Sequence, residues 1–403
     1  MPGIVKTSDL LKFLFLCSDA VATVKRLQQF GETVFAGITE LARVHDAVDL
    51  GQGYPNFDGP QFVKDAAQAA IAAGHNQYSR MYGEPILNEQ IARRFEVDTG
   101  IVVDPDAEVT VTSGCTEALA SVCLGILEAG DEVIVFEPFY DAYVVDTVLA
   151  NGVPRYVTLR PPGFRVDPDE IRAAITDRTR AIIVNTPHNP TGRVFDRDEL
   201  LAIAEICVEH DLIAISDEVY EHMVYEGEHI ALATLPGMWE RTVTCSSLGK
   251  TFSLTGWKIG WAVAPPPLTD ALRAAHQFVT YSISTPLQFG AAAALGSDAA
   301  YYDDLLAAYR ERRDVLVDGL RSVGFDLLQP QGAYFVYADH TPFGFTDDVT
   351  FVKHLIETVG VAAIPPSAFY HQPADGADFV RFSFCKDIST LEMAIGRLGD
   401  LKR

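Results

Sequence analysis

From about residue 108 the chain alternates short apolar, β-branched runs with longer stretches whose apolar positions recur every three to four residues. Residues 109–112, 132–136, 155–158, 181–184, 212–216, 242–245 and 259–263 read as strands, and 116–127, 141–149, 167–175 and 196–208 as the helices between them. The run AIIV at 181–184 is apolar at every position, the pattern of a strand covered on both faces. Asp196 with Glu199 three residues on is a capping box that opens a helix. Alternation of this kind predicts a mostly parallel sheet between helices. Beyond Pro265-Pro266-Pro267 the pattern is helical to about residue 320. It then turns α+β, with strands at 333–338 and 379–384, which predicts a smaller second domain.

Ligands of open α/β sheets bind outside the carboxyl ends of the strands, so the residues following each strand matter most. They are Ser113-Gly114-Cys115-Thr116, Glu137-Pro138-Phe139-Tyr140, the run from Asn185 to Gly192, Asp217-Glu218-Val219-Tyr220, and Ser246-Ser247-Leu248-Gly249-Lys250. Each is a weak signal alone, but together they put small or reactive polar groups on one edge of one sheet. Gly114 at a helix start suits an anion, because free amides and the helix dipole both favour negative charge there. Gly249-Lys250-Thr251 is not a phosphate-binding P-loop, since Thr244 stands where that motif needs its first glycine. The neighbours of Lys250 are small or apolar, which suits a desolvated amine of lowered pKa, the requirement for a Schiff-base lysine.

Composition narrows the partners. The 31 Lys and Arg face 55 Asp and Glu, a net charge of −24, which excludes nonspecific binding to nucleic acid and argues against an anionic membrane surface. The six cysteines show no CxxC spacing, so neither a zinc nor a redox motif is present, and buried reduced thiols are expected. No apolar run reaches the length of about 18 residues that a membrane helix needs. Residues 10–17 are apolar apart from Lys12, and Ala20-Val21-Ala22 has a cleavage-site look; the weak charged lead-in and Lys12 argue against a signal peptide, so a cytoplasmic protein is expected. No internal repeat is visible.

At these residues the chain resembles the class I, fold-type I aminotransferases that use pyridoxal 5′-phosphate (PLP). Within them it looks most like the branch of kynurenine aminotransferase, glutamine transaminase K, cysteine-conjugate β-lyase and bacterial methionine aminotransferase. The resemblance covers residues 30–398. It rests on Gly51-Gln52-Gly53-Tyr54-Pro55, Asn76-Gln77-Tyr78, Asn189-Pro190-Thr191-Gly192, Asp217-Glu218-Val219-Tyr220, Ser247-Leu248-Gly249-Lys250 with Lys258, and Arg381. It implies a large PLP-binding domain at 56–295 with a seven-stranded sheet, a small α+β domain at 296–403, and a segment at 26–55 that joins the small domain. Residues 1–25 match nothing and have no assigned role.

The resemblance also implies roles. Lys250 would hold PLP and shuttle the substrate proton. Asp217 would pair with the pyridine nitrogen, Tyr220 and Asn189 would bond the ring's phenolic oxygen, and Tyr140 would stack on the ring, with Phe139 as a rival. The Ser113-Gly114-Cys115 turn, Ser247 and Lys258 would cradle the phosphate; Lys258 stands where most class I enzymes have arginine, and gives a point charge instead of a two-pronged fork. Tyr78 would reach the phosphate of a partner subunit, implying a homodimer with shared sites. Arg381 would clamp the substrate carboxylate, with Asn185 and Gly53 beside it.

The implied reaction is ping-pong transamination between an L-amino acid and a 2-oxo acid. Phe35, Tyr54, Tyr78, Tyr82, Tyr140, Phe278 and Tyr281 fall in segments expected near the pocket, and no second arginine is assignable to a distal carboxylate. That favours methionine, phenylalanine, tyrosine, tryptophan, kynurenine or glutamine type substrates. The alternative is a PLP enzyme of β- or γ-elimination or replacement, like cysteine-conjugate β-lyase or aminocyclopropane carboxylate synthase, because the cofactor carries the chemistry in both.

Overall fold

The computed structural model describes residues 23–31 and 33–401. Residues 10–17, Cys17 and the 20–22 tripeptide lie outside the described residues. Helix α1 (Val34–Val44) and the short strand β1 (Val48–Asp49) precede helices α2 (Gln61–Ala72) and α3 (Pro85–Thr99). The alternating region follows as β2 (Val109–Thr112), α4 (Gly114–Ile126), β3 (Glu132–Glu137), α5 (Ala142–Leu149), β4 (Val153–Thr158), α6 (Pro168–Ala174), β5 (Thr179–Asn185), α7 (Arg197–Glu209), β6 (Ile213–Asp217), β7 (Thr242–Ser247) and β8 (Gly260–Val263). Three helices come next, α8 (Pro266–Val279), α9 (Thr285–Leu295) and α10 (Ala299–Val323). The chain closes with β9 (Asp326–Leu327), β10 (Phe335–Asp339), α11 (Asp348–His354), β11 (Val361–Ala362), β12 (Phe379–Ser383) and α12 (Ile388–Leu398).

Seven strands form one sheet in the order β2-β8-β7-β6-β5-β3-β4, in which only β8 runs antiparallel to its neighbours. Side chains of successive strand residues point to opposite faces, and both faces are covered. Val133, Val135, Ile183, Ile215 and Val243 pack with Ala118 and Val122 of α4. Ile134, Ile182, Val184 and Ala214 pack with Leu200 and Ile203 of α7. The capping box is present as expected: the Asp196 carboxylate accepts from the Glu199 amide, and Glu199 reaches back to the Asp196 amide.

A second, three-stranded antiparallel sheet orders β12-β10-β9 and sets Tyr337 opposite Arg381. Strand β1 pairs in parallel with β11, so the early segment is tied to the last third of the chain. The Ser383 amide donates to the Leu50 carbonyl at 2.7 Å, which brings β12 beside the GQGYP run.

Candidate active site

The carboxyl ends of β2, β5, β6 and β7 finish on one edge of the large sheet with Thr112, Asn185, Asp217 and Ser247, and β8 starts there at Gly260. A cavity opens at this edge. Its walls include Gly114, Cys115, Tyr140, Asn185, Asn189, Asp217, Tyr220, Ser247, Lys250 and Lys258. Of the residues to which the resemblance gives a catalytic, cofactor or substrate role, Ser113, Gly53, Tyr78 and Arg381 stand outside those walls.

One end of the cavity is built for an anion. Helix α4 begins at Gly114 without a side-chain cap, so amides of its first turn have no partner within the helix. Gly114 has φ +73°, a conformation that favours glycine, and a Cβ there would sit 3.1 Å from Lys258 Nζ. The ammonium therefore lies directly over the turn. A Cβ on Gly260 would fall 2.3 Å from the Gly114 carbonyl carbon, so β8 can approach the turn only as glycine. Lys258 itself has φ +53°, uncommon for a lysine and costly unless its surroundings enforce it. Ser247, paired with Gly260 across β7 and β8, lines the cavity on this side. The Ser113 amide, by contrast, is already taken by the Glu117 carboxylate at 3.0 Å.

The middle of the cavity holds Asp217 at the end of β6. Tyr143 Oη donates to its Oδ2 at 2.7 Å, and the Val219 amide and the Cys115 thiol donate to Oδ1 at 3.3 and 3.5 Å. Burial pushes the Asp217 carboxyl above its ordinary range, while these donors hold it down. Tyr143 was not legible as a site residue, since inside the apolar helix AYVVDTVL it reads as core. Tyr140 faces the cavity, whereas Phe139 is buried against Tyr156 with ring centroids 6.0 Å apart, so of the two only Tyr140 lines it. Tyr220 is buried and meets Tyr334 edge-on at 5.1 Å, and burial pushes its phenol well up.

Lys250 sits in the helical turn Leu248–Thr251 that follows β7. Its Nζ lies 5.7 Å from the Tyr220 ring centroid and 5.6 Å from that of Tyr334. Burial pushes the ammonium below its ordinary range; Cys385 and Asp217 pull the other way, and Lys258 adds to the effect of burial.

Arg381 stands next to the cavity behind Asn189. Its Nη1 donates to Asn189 Oδ1 at 3.0 Å and its Nη2 to the Gly51 carbonyl at 2.8 Å, while its buried Nε has no partner. No carboxylate pairs with it among the described residues. The rings of Phe335, Phe35 and Phe369 surround the guanidinium at 4.2, 5.2 and 5.4 Å. Burial pulls its pKa down to about 10, which leaves it charged at neutral pH. A buried cation without a counterion is costly, so a carboxylate-shaped place beside it is the natural complement. Asn185 is engaged by the loop itself: its Nδ2 donates to the Asp217 carbonyl at 2.9 Å and its Oδ1 accepts from the Asn189 amide at 2.8 Å. A Cβ on Gly53 would meet the Phe335 ring at 3.1 Å and the Tyr334 ring at 3.3 Å, and the Gly53 carbonyl accepts from Tyr334 Oη at 2.6 Å.

Most of the expected aromatic cluster is elsewhere. Tyr82 lies between Arg80 and Arg273, whose guanidiniums are 4.5 and 4.2 Å from its ring. Tyr78 and Phe278 are 84% and 86% exposed, and Tyr281 meets Tyr78 edge-on at 5.6 Å. Five described cysteines, Cys115, Cys123, Cys207, Cys245 and Cys385, are buried and free.

Comparison with known proteins gives the family. The family model for aminotransferase class I and II matches residues 45–398. The solved structure of N-succinyldiaminopimelate aminotransferase from Mycobacterium tuberculosis superposes with a TM-score of 0.93 at 46% identity, covering 94% of this chain and 100% of that one. Methionine aminotransferase from Escherichia coli is 40% identical over 93% of this chain and 97% of its own length. Human kynurenine–oxoglutarate transaminase 1 is 38% identical over 91% of this chain and 95% of its own. The chain belongs to the class I and II aminotransferases, enzymes that depend on pyridoxal 5′-phosphate.

Proposed function

We propose that this aminotransferase moves the amino group of an apolar, aromatic or sulfur-containing L-amino acid to a 2-oxo acid in a ping-pong cycle. The observation that carries this reading is the surround of Arg381. One face of the guanidinium is committed to Asn189 and Gly51, its Nε is free, and the nearest walls are the rings of Phe335, Phe35 and Phe369. A substrate held there by its carboxylate presents its side chain to aromatic surface.

The residues fit the cofactor. PLP supplies an electron sink for the pair left at the substrate Cα. Gly114, Cys115, Ser247 and Lys258 would hold its phosphate, and Asp217, fixed by Tyr143, would hold a proton on the ring nitrogen. Tyr140 would cover the ring, and Tyr220 and Asn189 would face its phenolic oxygen. Lys250 would carry the group and take the Cα proton; a lowered ammonium pKa brings it nearer to what a general base needs at neutral pH. The partner subunit's place in this reading follows from Tyr78, Phe278 and Tyr281, which leave an exposed aromatic patch that a second copy would cover, in a homodimer with shared sites.

One observation favours a second reading of the substrate. The Mycobacterium tuberculosis N-succinyldiaminopimelate aminotransferase shares more identity with this chain, 46%, than the methionine or kynurenine enzymes cited above. An acyl diamino acid with a distal carboxylate is therefore the competing donor. The test is to mix the purified holoenzyme with single amino donors, watch the absorbance of the cofactor, and identify products. Conversion to the pyridoxamine form with methionine or aromatic donors, reversed by a 2-oxo acid, supports the first reading. Conversion only with N-succinyl-diaminopimelate supports the second. Ammonia and a displaced leaving group, with the starting spectrum restored, would mean elimination or replacement and overturn both.

A further inference from the structure

Behind the phosphate turn lies a buried ion pair that the reaction described above does not use. His276, on α8, is fully buried. Its Nδ1 is 2.9 and 3.1 Å from the two carboxylate oxygens of Glu117, in the first turn of α4, and its Nε2 is 2.8 Å from the Met81 carbonyl. The Met81 carbonyl only accepts, so Nε2 carries a proton; both Glu117 oxygens already accept from other groups, and toward such an ionised carboxylate Nδ1 carries the second proton and the ring is an imidazolium. Burial works against that charge, but the hydrogen bond and charge of Glu117 outweigh it and raise the His276 pKa; Arg273 on the same helix opposes weakly. The Glu117 carboxylate accepts two further bonds, from Ser121 Oγ at 2.5 Å and from the Ser113 amide at 3.0 Å.

This pair joins three pieces of the site. The Ser113 amide belongs to the turn that presents Gly114 and Cys115. Met81 lies three residues from Tyr78, and His276 is in the last turn of α8, which carries Phe278 and ends just before Tyr281. The charge arrangement matters as much as the bonds. A bare carboxylate bonded into a helix N-terminus occupies the place that favours an anion, and it would repel a phosphate arriving one residue away. With His276 protonated, the pair is neutral and the positive end of α4 and Lys258 remain available.

We propose that His276 and Glu117 are positioning residues for the cofactor's phosphate: the carboxylate fixes the Ser113–Cys115 turn by its amide bond, and the imidazolium cancels the carboxylate's charge so that the turn still attracts an anion. The proposal rests on the placement of the phosphate at Gly114 and Lys258 given above.

The test measures binding of PLP and of pyridoxal, which lacks the phosphate, to the full-length protein freed of cofactor. His276→Gln leaves the carboxylate uncompensated and is expected to weaken PLP by about tenfold or more, with pyridoxal changed by less than about twofold. Adding Glu117→Gln to that variant should recover most of the loss, since a neutral amide can still accept from the Ser113 amide. Equal weakening of PLP and pyridoxal, or a double variant no better than His276→Gln, would reduce the pair to ordinary packing and overturn the proposal. If His276→Gln does not fold, Glu117→Gln decides: near-wild-type PLP binding supports charge cancellation, and a phosphate-selective loss overturns it. Lys258→Ala is the control for the underlying placement. If it shows no phosphate-selective loss, the phosphate site itself is misplaced; if it does and His276→Gln does not, only the proposal about the pair fails.

Discussion

Arg381 is a buried cation in the middle of an apolar strand. A charged side chain inside the apolar strand FVRFS is costly unless it has a partner, and that was visible in the sequence. The structure adds what the sequence could not: Asn189, 192 residues away, takes one prong of the guanidinium, and three phenylalanine rings surround it. Arg381→Ala should raise the KM for the amino donor by about a hundredfold or more, because a charge-assisted, two-pronged bond is lost; an unchanged KM in steady-state assays would contradict the clamp. Tyr143 was illegible because a tyrosine among valines in a helix reads as core, yet its phenol holds Asp217. Tyr143→Phe should lower kcat by about tenfold, the scale of one hydrogen bond to a charged group, with the fold unchanged by circular dichroism. His276 and Glu117 were illegible for a related reason: they are 159 residues apart, and each alone looks like a solvated or satisfied polar group.

At the scale of elements the sequence was more informative. Strands buried on both faces are nearly continuous apolar runs, and every predicted strand of the alternating region is present in the large sheet. The boundaries moved outward where polar residues still pair by backbone, as at Asn185, Asp217 and Ser246-Ser247. Asn185, Asp217 and Ser247 among them also line the cavity, because a strand end can be both a ladder member and a wall. What periodicity did not reveal is how tightly β8 presses on the start of α4. Gly260→Ala would place a methyl group 2.3 Å from the Gly114 carbonyl carbon, so the turn must move. The expected result is a loss of about 1–3 kcal/mol in stability together with loss of PLP on dialysis. Thermal melting and cofactor absorbance would check both, and retention of a wild-type cofactor complement would contradict the tight fit.

At the scale of the whole molecule, the large sheet and the later strands meet beside the cavity, and one joint between them is titratable. Glu137, at the end of β3, accepts from the His371 amide at 2.9 Å. Burial raises its carboxyl to about 7, against an ordinary value of 4.5; the His371 bond opposes this. Between those two pH values the folded chain holds this proton and the unfolded chain does not, so stability falls as pH rises through that window. Glu137→Gln keeps an acceptor for the amide and removes the titration. Its melting temperature should match wild type near pH 5 and exceed it at pH 8; an equal or lower value at pH 8 would contradict the burial account. Across the whole site, the proposed function has the cofactor hang from Lys250, with Lys258 only touching its phosphate. Borohydride reduction of the holoenzyme, followed by digestion and mass spectrometry, tests it most directly. The pyridoxyl phosphate adduct is expected on the peptide bearing Lys250, attached to that side chain. An adduct on Lys258 or on any other lysine would contradict it.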